Sequence, residues 1–354
     1  MTKKTLNKGP MPTRRAVLAG AAAVGVIAGF PGIVRAQSKT IVTTLFGGIY
    51  EERYRKHVLA PFEEKHGVQF VIKYGSPSEW LTNAMVNRDE PEIDLPFLSL
   101  PIAMKAIKTE GLFIDLNPSD IPSLNDVDPI FYDLFERKAV AFNYVDNGLM
   151  YRTDTVNPAP TAWADMWDPR FKNQLMLPDV SGGFFHEMIV IAALIHGGSL
   201  DNLDPGFDAL KKLKPNVFRF FKTPNEVPAI IQRGEASVAS YAASRAFAIK
   251  DGGQPVDYVV PKEGAPIGTL SYHIPEKARN RDLLIEFVNW AMSVGPQTGF
   301  GNEMQVGMAN RNVKLDAAVA ARVAPHDKLL RIDWPKLEPM MTPMAERFQR
   351  EITA

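Results

Sequence analysis

Residues 40–74 read TIVTTLFGGIYEERYRKHVLAPFEEKHGVQFVIKY. Thr40 to Phe46 is β-branched and apolar, and Gly47-Gly48 breaks it. Glu51 to His66 then carries Tyr54, Val58 and Phe62 at i, i+4 and i+8 before Gly67 ends the run. Val68 to Tyr74 is a second strand. The result is a strand-helix-strand unit, right-handed and parallel by the crossover rule. Pro61 lies inside the helical stretch, where it removes a backbone donor and crowds the preceding turn, so a kink or break is expected there.

The alternation continues outward. Ser76-Pro77-Ser78-Glu79 supplies an N-cap, a first-turn proline and a capping-box acid for a helix to about Asn87. A strand over Ile93 to Ser99 and a helix over Ile102 to Glu110, ended by Gly111, complete an α/β lobe. Val140 to Tyr144 and Gly148 to Tyr151 read as two short strands with no helix between them, a crossover into a second lobe. There the pattern restarts: a strand over Gln174 to Leu177, a helix from near Ser181 to Gly197-Gly198, and helices after Asp204-Pro205 and Thr223-Pro224-Asn225-Glu226. Strands over Ala236 to Tyr241, Val256 to Val260 and Thr269 to Ile274 follow, then a helix over Arg281 to Met292.

With 354 residues the chain exceeds what one hydrophobic core supports, so two lobes are expected. The 45% hydrophobic and 23% charged content places it among globular proteins. Lys+Arg and Asp+Glu are equal at 40 each, yet residues 1–36 hold six basic residues and no acidic one. The remainder therefore has 34 basic against 40 acidic residues, a net charge of −6, with no general reason to bind nucleic acid or an anionic membrane.

Residues 1–36 read as an export signal: a basic stretch through Arg15, an apolar run from Ala16 to Phe30, and small residues around Val34-Arg35-Ala36. Thr13-Arg14-Arg15-Ala16-Val17-Leu18 resembles a twin-arginine motif. An uncleaved anchor is the competing reading, but the run before Pro31 is shorter than the roughly 20 residues a bilayer core needs. The expected product is a soluble periplasmic protein. The absence of cysteine removes disulfides, a lipoprotein anchor, thiolate chemistry and Cys-ligated metal.

No catalytic constellation can be assembled, so the chain is read as a non-enzyme without cofactor. His186 and His196 belong to no zinc motif, Gly47-Gly48 is no dinucleotide fingerprint, and Ser181-Gly182-Gly183 is no nucleophile elbow. Asp179, Glu187, Asp257 and Glu263 are not paired by any defensible spacing. What remains is a set of small residues at strand ends: Gly47-Gly48, Ser76, Ser99 and Ser181-Gly182-Gly183. In open α/β sheets ligands bind at that edge, where helix N-termini and free N–H groups point. Ordinary strand-to-helix turns use the same residue types, and that reading stays open.

Gly47-Gly48-Ile49-Tyr50, Lys108 to Leu112, Gly148 to Asp154, Thr161 to Pro169, Gly234-Glu235-Ala236 and Pro261-Lys262-Glu263-Gly264 carry a further signal. In order and spacing they resemble the extracellular solute-binding proteins of ABC transporters, in the branch that includes the spermidine/putrescine-binding proteins. The resemblance implies an α/β, two-lobed periplasmic-binding-protein fold (type II), with mixed sheets flanked by helices and two crossing segments. It implies a cleft that closes on a small molecule, a membrane permease as partner, and a monomer. Lobe boundaries are expected at residues 38–144 with 265–310, and 145–264 with 311–354.

Polyamine binders of this family place a Trp and an Asp in the strand after the Pro-Lys-Glu-Gly turn. Gly268 and Leu270 stand at those positions here, and Gly182 stands where a second acid belongs, although Asp179 remains. An ammonium buried without its counter-ion loses several kcal/mol. An organic anion or zwitterion is therefore the expected ligand, with a polyamine as the alternative and a periplasmic enzyme as the remoter one. Ferric-ion binders use adjacent tyrosines, whereas Tyr241 stands alone, so no metal set is supported. Arg245 and the Ser181-Gly182-Gly183 N–H groups suit an oxyanion, unless Arg245 pairs with Asp179 or Asp257. Phe46, Tyr50 and Tyr241 would supply apolar contact, and Ser76, Ser99 and Thr269 polar contact.

Overall fold

The strand-helix-strand unit forms as read. In the computed structural model, which describes residues 39–353, β1 (Lys39–Leu45) and β2 (Val68–Tyr74) are parallel, with Lys39 opposite Val68 and Leu45 opposite Tyr74. Helix α1 (Gly48–Tyr54) leads through a π turn at Arg55–Leu59 into α2 (Ala60–His66). The turn is the expected break: the Ala60 N–H reaches back to the Arg55 carbonyl, and Pro61 falls in the first turn of α2, where its missing donor is harmless. Ser76 caps α3 (Pro77–Val86) in the anticipated capping box, its N–H donating to Glu79 Oε2 at 2.7 Å. The third strand is shorter than expected. Pro96 interrupts it, leaving β3 (Phe97–Ser99) and, before it, a parallel bridge from Leu95 to Thr43 of β1. Helix α4 (Leu100–Ile107) begins at once.

Next comes β4 (Val140–Arg152), one strand of 13 residues where the sequence suggested two. Asp146, Asn147 and Gly148 look like a break. They pass through the sheet because β4 changes neighbours there and its polar groups find partners. After it come β5 (Leu175–Pro178), α5 (Phe185–Ile195), α6 (Asp204–Leu213), β6 (Val217–Phe221) and α7 (Val227–Arg233). Strand β6 had no counterpart in the sequence reading. β7 (Val238–Ala242), α8 (Ala243–Asp251), β8 (Val256–Val259) and β9 (Ile267–Tyr272) follow. The C-terminal part holds α9 (Arg281–Ala291), α10 (Val294–Met304), β10 (Gly307–Met308), α11 (Ala317–Ala320), α12 (Trp334–Leu337) and α13 (Met341–Phe348).

The larger sheet runs β3-β9-β4-β7-β5-β6. The first half of β4 pairs antiparallel with β9 and β10, and the second half with β7 and β8. One strand thus carries the chain between two sheet regions, and β9 returns alongside it. A knot of Tyr54, Phe97, Phe142, Tyr272 and Phe300 fills the core beneath the first region, Phe97 stacking on Tyr272 at 4.8 Å. Met150, Met176, Phe221, Val227, Ile231 and Tyr241 form a separate core beneath the second. Among the described residues no helix is long and apolar enough to cross a membrane. The expected export signal and cleavage position lie outside the described residues.

Candidate functional site

Because β1, β2 and the Leu95 bridge are parallel, their carboxyl ends share one edge. Gly47-Gly48, Ser76 and Ser99 each open a helix there. Gly47 and Gly48 have φ of 79° and 64°, left-handed values that glycine adopts without strain. Across the sheet, Ser99 lies opposite Leu270, and Leu270 opposite Asn143. Tyr50 donates from its hydroxyl to Asn143 Oδ1 at 3.1 Å, and burial beside Tyr54 raises its pKa. Tyr50, Asn143, Leu270 and Ser99 are thereby brought into one row. Thr269, the next residue of β9, is buried opposite Tyr144.

The second group sits at the carboxyl end of β5. Asp179 Oδ1 accepts from the Val180 N–H at 2.7 Å, and the Gly182 N–H donates to the Asp179 carbonyl at 2.8 Å. The three N–H groups expected to face an oxyanion are therefore not equivalent. Gly182 is committed to its own turn and buried, with the Phe221 carbonyl 2.5 Å from where a Cβ would stand, while Ser181 and Gly183 are exposed. Phe184 then adopts a left-handed φ of 60°, and its Cζ lies 3.2 Å from the Cβ position of Gly268. Lateral contact through Phe184 joins the β5 turn to β9.

Tyr241 is 2% exposed, packs its ring on Phe221 and donates to the Pro224 carbonyl at 2.8 Å. It supports the site from within the core and presents no open face. Arg245, exposed on the first turn of α8, donates to Asn225 Oδ1 at 3.0 Å. The pairing considered for it is not made: Asp257 binds Lys250 at 2.8 Å, and Asp179 faces its own turn. Among the described residues Arg245 has no carboxylate partner. Glu226, next to Asn225 in the chain, is occupied, accepting from the Lys222 and Thr223 N–H groups. On α3, backbone and side-chain hydrogen bonds from Ser76 hold Glu79 below its ordinary pKa.

At the strand crossing, Asp146 is 2% exposed and accepts from the Tyr258 hydroxyl at 2.6 Å and the Ala324 N–H at 3.3 Å, while burial raises its pKa. Asn147 donates to Ser240 Oγ at 2.8 Å. A cavity of about 480 Å³ is lined in part by Tyr144 and Ala324 at this crossing, and one of about 540 Å³ lies away from it beside Arg152, Arg170 and Lys172.

Residues 57–325 match the family model described as bacterial extracellular solute-binding protein. The chain belongs to this family. Such proteins bind substrates for ABC importers and are transport components, not enzymes. The spermidine/putrescine-binding periplasmic protein of Escherichia coli K12 is 24% identical over 256 residues, 70% of this chain and 72% of that protein. A putative 2-aminoethylphosphonate-binding periplasmic protein of Salmonella typhimurium is 24% identical over 153 residues, 43% of this chain and 42% of that one. An ABC transporter structure from Clostridium perfringens superposes with a TM-score of 0.81 at 25% identity, covering 89% of this chain and 100% of that one. The solute-binding protein therefore has the two-lobed periplasmic-binding-protein fold that the motifs implied.

Phe184, Asn143 and Asp146 went unnoticed in the sequence. Phe184 carried one legible signal, an aromatic residue directly after a glycine pair at a strand end. Asn143 and Asp146 carried none, since polar residues inside a strand signify only once their partners are known.

Proposed function

We propose that this solute-binding protein captures a small organic anion or zwitterion between two lobes in the periplasm and delivers it to a membrane permease. The observation that carries the reading is Arg245, an exposed guanidinium that donates to Asn225 and has no carboxylate partner among the described residues. A guanidinium in that state offers a planar fork to a carboxylate or phosphonate. A polyamine would need free carboxylates, and Gly268 and Leu270 supply none. The relatives leave both classes in view, one binding polyamines and another putatively an aminophosphonate. The lobes in this reading are residues 38–144 with 265–310 and 145–264 with 311–354, hinged at Asn143 to Tyr151 and Lys262 to Thr269.

Thermal shift across a panel of spermidine, putrescine, 2-aminoethylphosphonate, amino acids and carboxylates tests the proposal. Ligand at 100 times its Kd stabilises the fold by about 2.7 kcal/mol. The expected result is a shift with an anion or zwitterion that Arg245→Ala removes; the largest shift with a polyamine overturns the reading.

A further inference from the structure

The cavity of about 540 Å³ beside Arg152, Arg170 and Lys172 lies at the opposite end of β5 from the Asp179 turn. β5 and β7 are parallel, with Leu175 opposite Val238, and the residues just before them, Gln174 and Ser237, line the cavity. Arg152 ends β4 at the same place. Its N–H donates to the Ser237 carbonyl at 2.8 Å, and the Ser237 N–H donates to the Gln174 carbonyl at 3.0 Å. At about 3.3 Å per strand residue, β5 separates Gln174 from Asp179 by roughly 16 Å. The cavity is therefore distinct from the carboxyl edge where the candidate site lies.

Its wall is cationic and held in place. Arg152, with a side chain 13% exposed, donates from Nε and Nη2 to Asp154 at 3.0 and 2.5 Å and from Nη1 to the Ile231 carbonyl at 2.5 Å. Arg170 donates from Nη1 to the Pro158 carbonyl at 2.8 Å, has its Nε 3.3 Å from Asp168, and lies over the Phe171 ring at 4.5 Å. A guanidinium has five N–H bonds, so both keep donors in reserve in a fixed orientation. Asp154 and Asp168 balance those two charges. Lys172 is exposed and has no carboxylate partner among the described residues, so its charge is the unbalanced one. The Gln174 carboxamide and the Ser237 hydroxyl add neutral donors.

No carboxylate lines this cavity, which leaves a cationic ligand without a counter-charge, and burying these polar groups against an apolar one would be costly. An anion gains charge-assisted hydrogen bonds. The Nε–Nη2 edge of Arg152, which a carboxylate would grip, is already taken by Asp154. The remaining donors come from separate side chains, an arrangement that suits the several acceptor oxygens of a tetrahedral anion better than the two of a carboxylate. The volume falls in the range of pockets that take a whole small molecule. We propose that this cavity is a second ligand site, separate from the cleft, for a phosphate group, free or carried as a monoester. It stands whatever the cleft itself binds.

Nitrogen–proton NMR titration of the protein with inorganic phosphate, glycerol phosphate and acetate tests it. The two phosphate probes should move the amide signals of residues 152–157, 170–174 and 234–237 to saturation, with acetate at least about tenfold weaker, a difference of about 1.4 kcal/mol. Lys172→Glu should weaken both phosphate probes by at least the same factor, Lys172→Ala by less, and Arg245→Ala should leave them unchanged. Position 172 is exposed, and an unchanged melting temperature shows that its variants fold. No saturable shift at these residues, or an affinity indifferent to Lys172→Glu, overturns the proposal. Acetate binding as tightly as phosphate overturns the phosphate class. Shifts confined to residues 181–183 and abolished by Arg245→Ala overturn the second site while supporting the anion reading of the cleft.

Discussion

The Phe184 ring occupies the space into which a side chain at Gly268 would grow, its Cζ standing 3.2 Å from the Cβ position. Phe184 holds this place from a left-handed backbone, which is unfavourable by about 1–2 kcal/mol for a residue with a Cβ. Gly268→Trp should therefore lower stability by roughly 1–3 kcal/mol through overpacking. Adding Phe184→Ala should restore part of the loss, with a coupling of at least about 0.5 kcal/mol in a double-mutant cycle by urea unfolding. Strict additivity of the two substitutions contradicts the contact.

Arg245→Ala should leave the melting curve of the ligand-free protein within about 0.5 kcal/mol of the parent, because the side chain is exposed and its contacts, with Asn225 and the Tyr241 hydroxyl, replace no buried ion pair. A loss of 2 kcal/mol or more, an estimate typical of a broken buried pair, would assign Arg245 to the scaffold.

Glu187 lies in the first turn of α5, and burial pushes its carboxyl up to about 7 from an ordinary 4.5. Between those values the folded chain keeps a proton that the unfolded chain has released, so this group's contribution to stability falls as pH rises from 4.5 to 7. Glu187→Gln should gain on the order of 1–3 kcal/mol over the parent at alkaline pH and nothing at acid pH. Denaturant midpoints measured at both ends of the window decide it; a gain that does not vary with pH refutes the titration.

His273 works in the opposite direction. It is fully buried, burial pushes its pKa down to about 3 from 6.5, and its Nε2 lies 3.0 Å from Ser271 Oγ. Ser271 donates to the Leu98 carbonyl, so Nε2 carries the proton and Nδ1 is bare. The unfolded histidine takes up a proton first as pH falls. Its stabilising contribution is complete above 6.5 and is lost progressively down to about 3. Nitrogen chemical shifts of the ring should report a neutral Nε2–H tautomer at pH 5; an imidazolium signal at that pH excludes the arrangement.

Tyr258→Phe removes the shorter of two hydrogen bonds that Asp146 accepts, 2.6 Å from the Tyr258 hydroxyl against 3.3 Å from the Ala324 N–H. A buried carboxylate left short of a donor costs about 1–3 kcal/mol. The Asp146 pKa, already raised by burial, should rise further, and carboxyl NMR titration would detect it. An unchanged titration shows that solvent reaches the crossing and replaces the hydroxyl.

Amino-acid order alone was enough to specify several features whose causes lie within a few residues, although the break at Pro96 was not among them. The Ser76 to Glu79 capping box, the break at Pro61 and the glycine turn between β1 and α1 were legible because cap, proline and φ preferences act locally. The parallel strand-helix-strand unit followed from periodicity, and the crossing near residue 145 from a pattern that stalled and restarted. The tertiary structure decided what depended on partners far along the chain. β4 is one strand because β9, β7 and β8 share out its length and because Tyr258 and Ser240 satisfy Asp146 and Asn147. Tyr241 went into the core and Gly182 used its N–H locally, whereas Arg245 stayed without a carboxylate. Sequence lists these groups as donors, acceptors and charges; only the fold determines which are already satisfied, and a binding site consists of those that are not.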